Sequence, residues 1–234
     1  MKLQAILFDL DGTLLPMDTD KFVYGYLHML YLRLAPYGYD EKSFMSGMWQ
    51  GVAAMVKNDR SRVNEDVFWE TFRQVIGDGI MAHMPIFEKF YEEEFDSAIK
   101  FTSPSPLARV AVDIAKEKAE KVVLATNPFF PPIATEKRTR WAGLSPDEFA
   151  LVTHYGNSGS CKPNPTYYIE IADKLCIDPT RCLMVGNHTE EDIAAAQSVG
   201  MRTYLLTDHA IVKGEMPDTE KGSFERLTEY LKSL

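Results

Sequence analysis

Short, uniformly apolar runs alternate with helical periodicity along most of this chain, and one long block breaks the alternation. Ala5-Ile6-Leu7-Phe8 contains no polar residue and predicts a strand covered on both faces, where in/out alternation is lost. Between Pro16 and Phe101 the spacing is helical, predicting helices over Asp18–Leu34, Glu41–Lys57, Asn64–Ile76 and Ile80–Phe95. Pro36-Tyr37-Gly38, Asn58-Asp59 and Gly77-Asp78-Gly79 separate them, and Asp18 or Thr19, Asp40 and Asn64 are candidate N-caps. The breaker-rich Thr102-Ser103-Pro104-Ser105-Pro106 then returns the chain to alternation. Helices are predicted over Leu107–Glu120, Pro132–Ala142, Pro165–Leu175, Glu190–Val199 and Phe224–Leu231. Strands are predicted over Val122–Ala125, Phe149–Thr153, Cys182–Val185 and Met201–Leu206. Such alternation specifies an α/β fold, a parallel sheet flanked by helices and joined by right-handed crossovers. The helical block reads as an insertion into it.

Inside that block Phe22 to Leu32 is apolar almost all round, which predicts burial between helices or in a subunit contact. Met45, Met48, Trp49, Val52 and Met55 form a second stripe, read as core packing. Phe22–Leu32 is also the longest apolar stretch and is far too short to span a bilayer. A length of 234 residues, with 45% hydrophobic and 25% charged residues, suits a globular protein with a sizeable core. A formal charge of -9 argues against nucleic acid or an anionic membrane as partner. Cys161, Cys176 and Cys182 are odd in number and lack CxxC spacing. They suggest neither a disulfide framework nor a zinc site, and point to a reducing, cytoplasmic setting. The first strand begins too close to the N-terminus to leave room for a signal peptide.

The chemistry concentrates where strands end. Ala5–Phe8 runs into Asp9-Leu10-Asp11-Gly12-Thr13. Residues i and i+2 of an extended segment share a face, so Asp9 and Asp11 are expected to project into one crevice at the carboxyl edge of the sheet. Two carboxylates that close need a cation, a proton or donors between them. The second strand ends in Thr126-Asn127-Pro128, a hydroxyl and an amide suited to anionic oxygens. Lys162-Pro163-Asn164-Pro165 places a cation before a helix, where backbone N–H groups also favour anions. The fourth strand ends in Gly186-Asn187-His188-Thr189-Glu190-Glu191-Asp192. Hard oxygen ligands, hydroxyl and amide donors and a lysine together suit Mg²⁺-assisted phosphoryl transfer.

In order and spacing, Asp9-Leu10-Asp11-Gly12-Thr13, Thr126-Asn127, Lys162-Pro163 and the Gly186–Asp192 loop resemble the four motifs of the haloacid dehalogenase (HAD) superfamily. The resemblance implies a Rossmann-like core of residues 1–16 and 101–234 with sheet order 3-2-1-4-5, and an all-helical cap over residues 17–100. It implies a phosphatase of the phosphoglycolate-phosphatase-like kind, acting on a small phosphorylated metabolite. Asp9 would be the nucleophile, Asp11 the general acid and base, and Lys162 the group neutralising charge on nucleophile and phosphoryl. Thr126, Asn127 and Lys162 would hold phosphoryl oxygens. Asp9, Asp11 (through its carbonyl), Asn187 and Asp192 would hold Mg²⁺. Asn187 departs from the acid common at its position and implies weaker metal binding, which Glu191 or Asp192 could offset; His188 is read as a loop residue. Phosphomutase or dehalogenase chemistry, and a non-catalytic binding module, stay open as alternatives, as do monomer and homodimer. Lys57, Arg60 and Arg62 are read as solvated charges near a turn, and Arg138 and Arg140, on the helix after the second motif, as salt-bridged surface charges.

Overall fold

The computed structural model describes residues 2–234. Six parallel strands form one sheet in the order β3-β2-β1-β4-β5-β6. They are β1 (Leu3–Phe8), β2 (Ala119–Leu124), β3 (Leu151–Val152), β4 (Cys182–Gly186), β5 (Arg202–Leu206) and β6 (Glu220–Gly222). The first five follow the expected order. The sixth was not anticipated: Glu-Lys-Gly is polar and sits at a solvated edge, without the apolar run that marks a buried strand. Alternate residues of β1 serve opposite faces, as the strand period requires. Ile6 and Phe8 join the larger core, and Ala5 and Leu7 join a smaller one with Tyr167, Tyr168 and Met184.

The helices α5 (Leu107–Lys118), α6 (Pro132–Trp141), α7 (Thr166–Leu175), α8 (Ala195–Ser198) and α9 (Phe224–Ser233) flank the sheet. The helix expected over Glu190–Val199 is a π-turn, Thr189–Ala194, running into α8. Between β1 and α5 the described residues form helices only: α1 (Thr19–Leu34), α2 (Glu41–Val56), α3 (Asn64–Ile76) and α4 (Met84–Lys89), with shorter turns. Asp18 and Asp40 cap α1 and α2 by accepting from Lys21 N and Ser43 N. Asn64 does not cap α3. It is fully buried and reaches the opposite layer, donating through Nδ2 to Ser160 O at 3.3 Å and accepting from Asn58 at 2.9 Å. The single helix expected over Ile80–Phe95 is divided into a 3-10 turn, α4, a π-turn and a second 3-10 turn.

The block enters and leaves through adjacent segments: Met17 bridges Thr102, and Ser103 N donates to Pro16 O at 2.7 Å. Phe22, Tyr26, Leu27, Leu30 and Leu34 of α1 are buried, whereas Tyr24 and Leu32 are 58% and 53% exposed. The helix is therefore one-sided, despite its uniformly apolar sequence. Arg60 is no free surface charge either. Its backbone donates to Gly159 O at 2.9 Å and its guanidinium to Asp173 at 3.0 Å. Arg62 pairs with Glu70 on the surface. Among the described residues no helix is long and apolar enough to cross a membrane.

Candidate active site

Strand register brings the polar strand ends together. Phe8 lies level with Leu124 on one side and Val185 on the other. The next backbone bonds, Asp9 N to Val185 O at 2.9 Å and Ala125 N to Phe8 O at 2.7 Å, carry that alignment one residue past the strands. Asp9, Thr126 and Asn187 are thus delivered to the same edge, where open α/β sheets receive ligands. Gly12, at φ +83°, turns the chain away, and any Cβ there would come within 2.3 Å of the Asn187 amide.

Lys162 occupies the floor of this edge and is only 1% exposed. Its ammonium donates to Asp9 Oδ1 at 2.9 Å and Asp192 Oδ1 at 2.6 Å. Burial favours the uncharged amine, but the carboxylates of Asp192 and Asp9 override it and hold Lys162 well above its ordinary value. One ammonium cannot neutralise two carboxylates. Burial first, then the nearby charges of Asp192 and Asp11, therefore push the Asp9 carboxyl up to about 7 against the opposing pull of Lys162.

Asp192 holds the loop as well as the lysine. Its Oδ2 accepts from Asn187 N at 3.0 Å and His188 N at 2.9 Å. The approach requires Gly186, where a Cβ would lie 2.3 Å from the Asp192 carboxylate. His188 Nδ1 accepts from Glu190 N and Glu191 N, so the ring caps the π-turn. Asn127 is also committed inward: Nδ2 donates to Glu191 Oε2 at 2.9 Å, and Oδ1 accepts from Lys162 N at 3.2 Å. Burial raises the Glu191 carboxyl, with Asp192 adding to it. Thr126, 2% exposed, lines the cleft with Asn127 and the two aspartates.

The oxygens at this edge fit a hard divalent cation. Thr13 Oγ1 stands 3.2 Å from both Asp9 Oδ2 and Asn187 Oδ1, and its single proton satisfies only one of them. Asn187 Nδ2 donates to His209 O at 2.7 Å, which fixes the amide with its oxygen toward Thr13. Asp11 Oδ1 is buried without a partner. Among the described residues no three His, Cys, Asp or Glu side chains form a ready-made metal cage.

Arg138 contradicts its reading as a surface charge. It is completely buried, pairs with Asp11 Oδ2 and stacks 3.9 Å from the Phe130 ring centre. Of its neighbours, Arg140 faces outward beside Glu136, while the Lys137 side chain is largely covered and reaches Glu92 O and Asp96. In sequence the basic run resembles a solvated face, and the partner that defines Arg138 is distant. The Met45–Met55 stripe is also divided. Met48 and Met55 are buried in the core, while Trp49 and Val52, together with Met48, line the cavity above Asp9.

A family model for haloacid dehalogenase-like hydrolases matches residues 3–200. The chain belongs to this family. It is 28% identical to a phosphoglycolate phosphatase of Neisseria gonorrhoeae over 206 residues, covering 87% of this chain and 80% of the relative. It is 26% identical to that of Aquifex aeolicus, covering 92% and 91%. Among solved structures it resembles a 2-haloacid dehalogenase from Pseudomonas syringae (TM-score 0.65, 22% identity, 99% of each chain). It also resembles a HAD phosphatase from Thermococcus onnurineus (TM-score 0.61, 19% identity, 98% of each chain); these two likenesses speak for the fold alone. Membership and the matching relatives make this HAD hydrolase a phosphatase.

Proposed function

We infer that the protein hydrolyses a small organic phosphomonoester, with Mg²⁺, through an aspartyl-phosphate on Asp9. What carries this reading is the sharing of the Lys162 ammonium between Asp9 and Asp192 at a buried sheet edge, with Asp11 at the same cleft. Asp9 attacks phosphorus while the P–O bond to the leaving group breaks, and Asp11, which enters this step protonated and released from its pair with Arg138, delivers its proton to the departing oxygen. Asp11 then takes a proton from water, the water attacks the acyl phosphate, and inorganic phosphate leaves as the Asp9 carboxylate is restored. Lys162 stabilises charge gathered between nucleophile and phosphoryl oxygens. Asp9, the Asp11 carbonyl and Asn187 would hold Mg²⁺, which neutralises phosphoryl charge; Asp192 supports that set by fixing Lys162 and the Asn187 backbone.

The helical block, residues 17–100, would act as a cap over the core formed by 1–16 and 101–234, excluding water when closed. An acid two residues past the nucleophile favours a phosphate ester over a carbon–halogen bond, because an alkoxide leaving group needs a proton and a halide does not. The expected setting is the cytoplasm, where free cysteines stay reduced. Phosphate release from a panel of phosphomonoesters, with and without Mg²⁺, tests the reading. Metal-dependent release from at least one ester is expected; none from any, or release indifferent to chelation, would overturn it.

A further inference from the structure

Above the catalytic edge lies a cavity of about 750 Å³ between the sheet and the helical block, within the ~300–1,000 Å³ typical of sites that enclose drug-sized ligands. Its floor is polar: Asp9, Asp11, Thr126 and Asn127. Its roof is not. Beyond Asp20, every residue that the helical block contributes is apolar or aromatic, including Leu27, Met48, Trp49, Val52, Phe68 and Phe87. Phe129 and Phe130 continue that surface on the core side.

The charges leave no place for an anionic leaving group. Among the described lining residues Lys213 is the single lysine or arginine, and it lies exposed on the core side. Lys162 is committed to Asp9 and Asp192, and Arg138 to Asp11. Asp18 and Asp20 also line the cavity and repel a second negative group. A carboxylate set against the aromatic roof would meet no cation there, only the unpartnered Trp69 indole N–H and the Tyr26 and Tyr91 hydroxyls, and burying a charge so weakly compensated is costly. An uncharged ring system would gain apolar burial and aromatic contact there.

We propose that the phosphatase acts on phosphomonoesters whose leaving group is bulky, uncharged and aromatic or otherwise apolar, and that a compact anionic ester such as 2-phosphoglycolate is discriminated against. The proposal rests on the reading of the site as a phosphomonoesterase. It is tested by comparing 2-naphthylmethyl phosphate with 2-phosphoglycolate, both esters of alkyl alcohols. Binding of each to the Asp9→Asn protein, by calorimetry, is expected to be at least tenfold tighter for the naphthylmethyl ester. In the wild-type enzyme kcat/KM is expected to follow the same order. In Asp9→Asn/Trp49→Ala the difference in affinity should shrink several-fold, while affinity for 2-phosphoglycolate should not fall in step. Equal or reversed binding order overturns the proposal even if both esters are hydrolysed. Preferential binding without hydrolysis of either by the wild type upholds the apolar site and overturns the phosphatase mechanism instead.

Discussion

Replacing Arg138 by Met tests whether this buried cation is what holds Asp11. The substitution keeps an unbranched apolar stem and removes the charge. Arg138 is completely buried, so no water replaces the guanidinium. Asp11 Oδ1 already lacks a partner, and the change would leave Oδ2 without one. Removing one member of a buried ion pair costs about 3–5 kcal/mol. The Asp11 side chain is 20% exposed, so the lower end applies, about 3 kcal/mol. For a chain of this size that corresponds to a fall in Tm of roughly 6–12 °C. The assay is urea unfolding with thermal melts, at neutral pH and without metal. Arg140→Met is the control: its side chain is 59% exposed and lies 3.4 Å from Glu136, so its effect should stay within about 0.5 kcal/mol. Adding Asp11→Asn to Arg138→Met removes the orphaned charge and should restore about half of the loss or more. A loss below about 1 kcal/mol for Arg138→Met, or no restoration by the second change, would refute the reasoning.

Three further predictions follow from other parts of the molecule. Asn187→Asp should lower the Mg²⁺ concentration needed for half-maximal activity about tenfold, roughly 1.4 kcal/mol. It should destabilise the metal-free protein by about 1–3 kcal/mol, because a carboxylate oxygen would face His209 O, which now accepts from the amide at 2.7 Å; an unchanged metal requirement would contradict this. The Arg109 hydrogen bonds, with those from Lys116, hold the Glu148 carboxyl well below the usual range. A depressed carboxyl contributes stability above its unfolded value, and that contribution is lost as pH falls through the acid range. Glu148→Gln should therefore lower the urea midpoint at pH 7, by a modest amount since Arg109 and Lys116 are more than a third exposed, and the gap from wild type should narrow steadily as pH falls below the ordinary carboxylate range; a gap constant with pH would count against it. Asn64→Ala should cost about 1–3 kcal/mol in the same assay by stranding the buried Ser160 carbonyl and Asn58 amide, and a cost under about 0.5 kcal/mol would show that the contact between layers carries little.

The parts of the fold readable from sequence were those with a one-residue-wide signature. Ala5–Phe8 and Cys182–Val185 announce buried strands because both of their faces are covered, and Asp18 and Asp40 announce helix starts because a cap is a local bond. What stayed hidden depends on partners far away. Glu220–Gly222 becomes a strand because β5 offers it an edge, and nothing in three polar residues foretells that. Arg138 sits in a basic run and is buried because Asp11 lies beneath it. Trp49 and Val52 share a helix face with core residues, yet look into a cavity that exists only where two layers meet. In the site, Asp9 and Asp11 line one cleft, as their spacing past the first strand implied, and Lys162 reaches Asp9 from the loop before α7. The inward commitment of Asn127 and of both Asp192 oxygens was not legible, since it is set by the Lys162 backbone and side chain and by the Asn187 and His188 amides.

The most direct measurement is the rate of phosphate release by Asp9→Asn beside the wild type, on the best ester found, with Mg²⁺ present and the fold of both confirmed by circular dichroism. An amide cannot form the acyl phosphate, so release is expected to fall to background. Release persisting near the wild-type rate would remove Asp9 as the nucleophile and, with it, the mechanism.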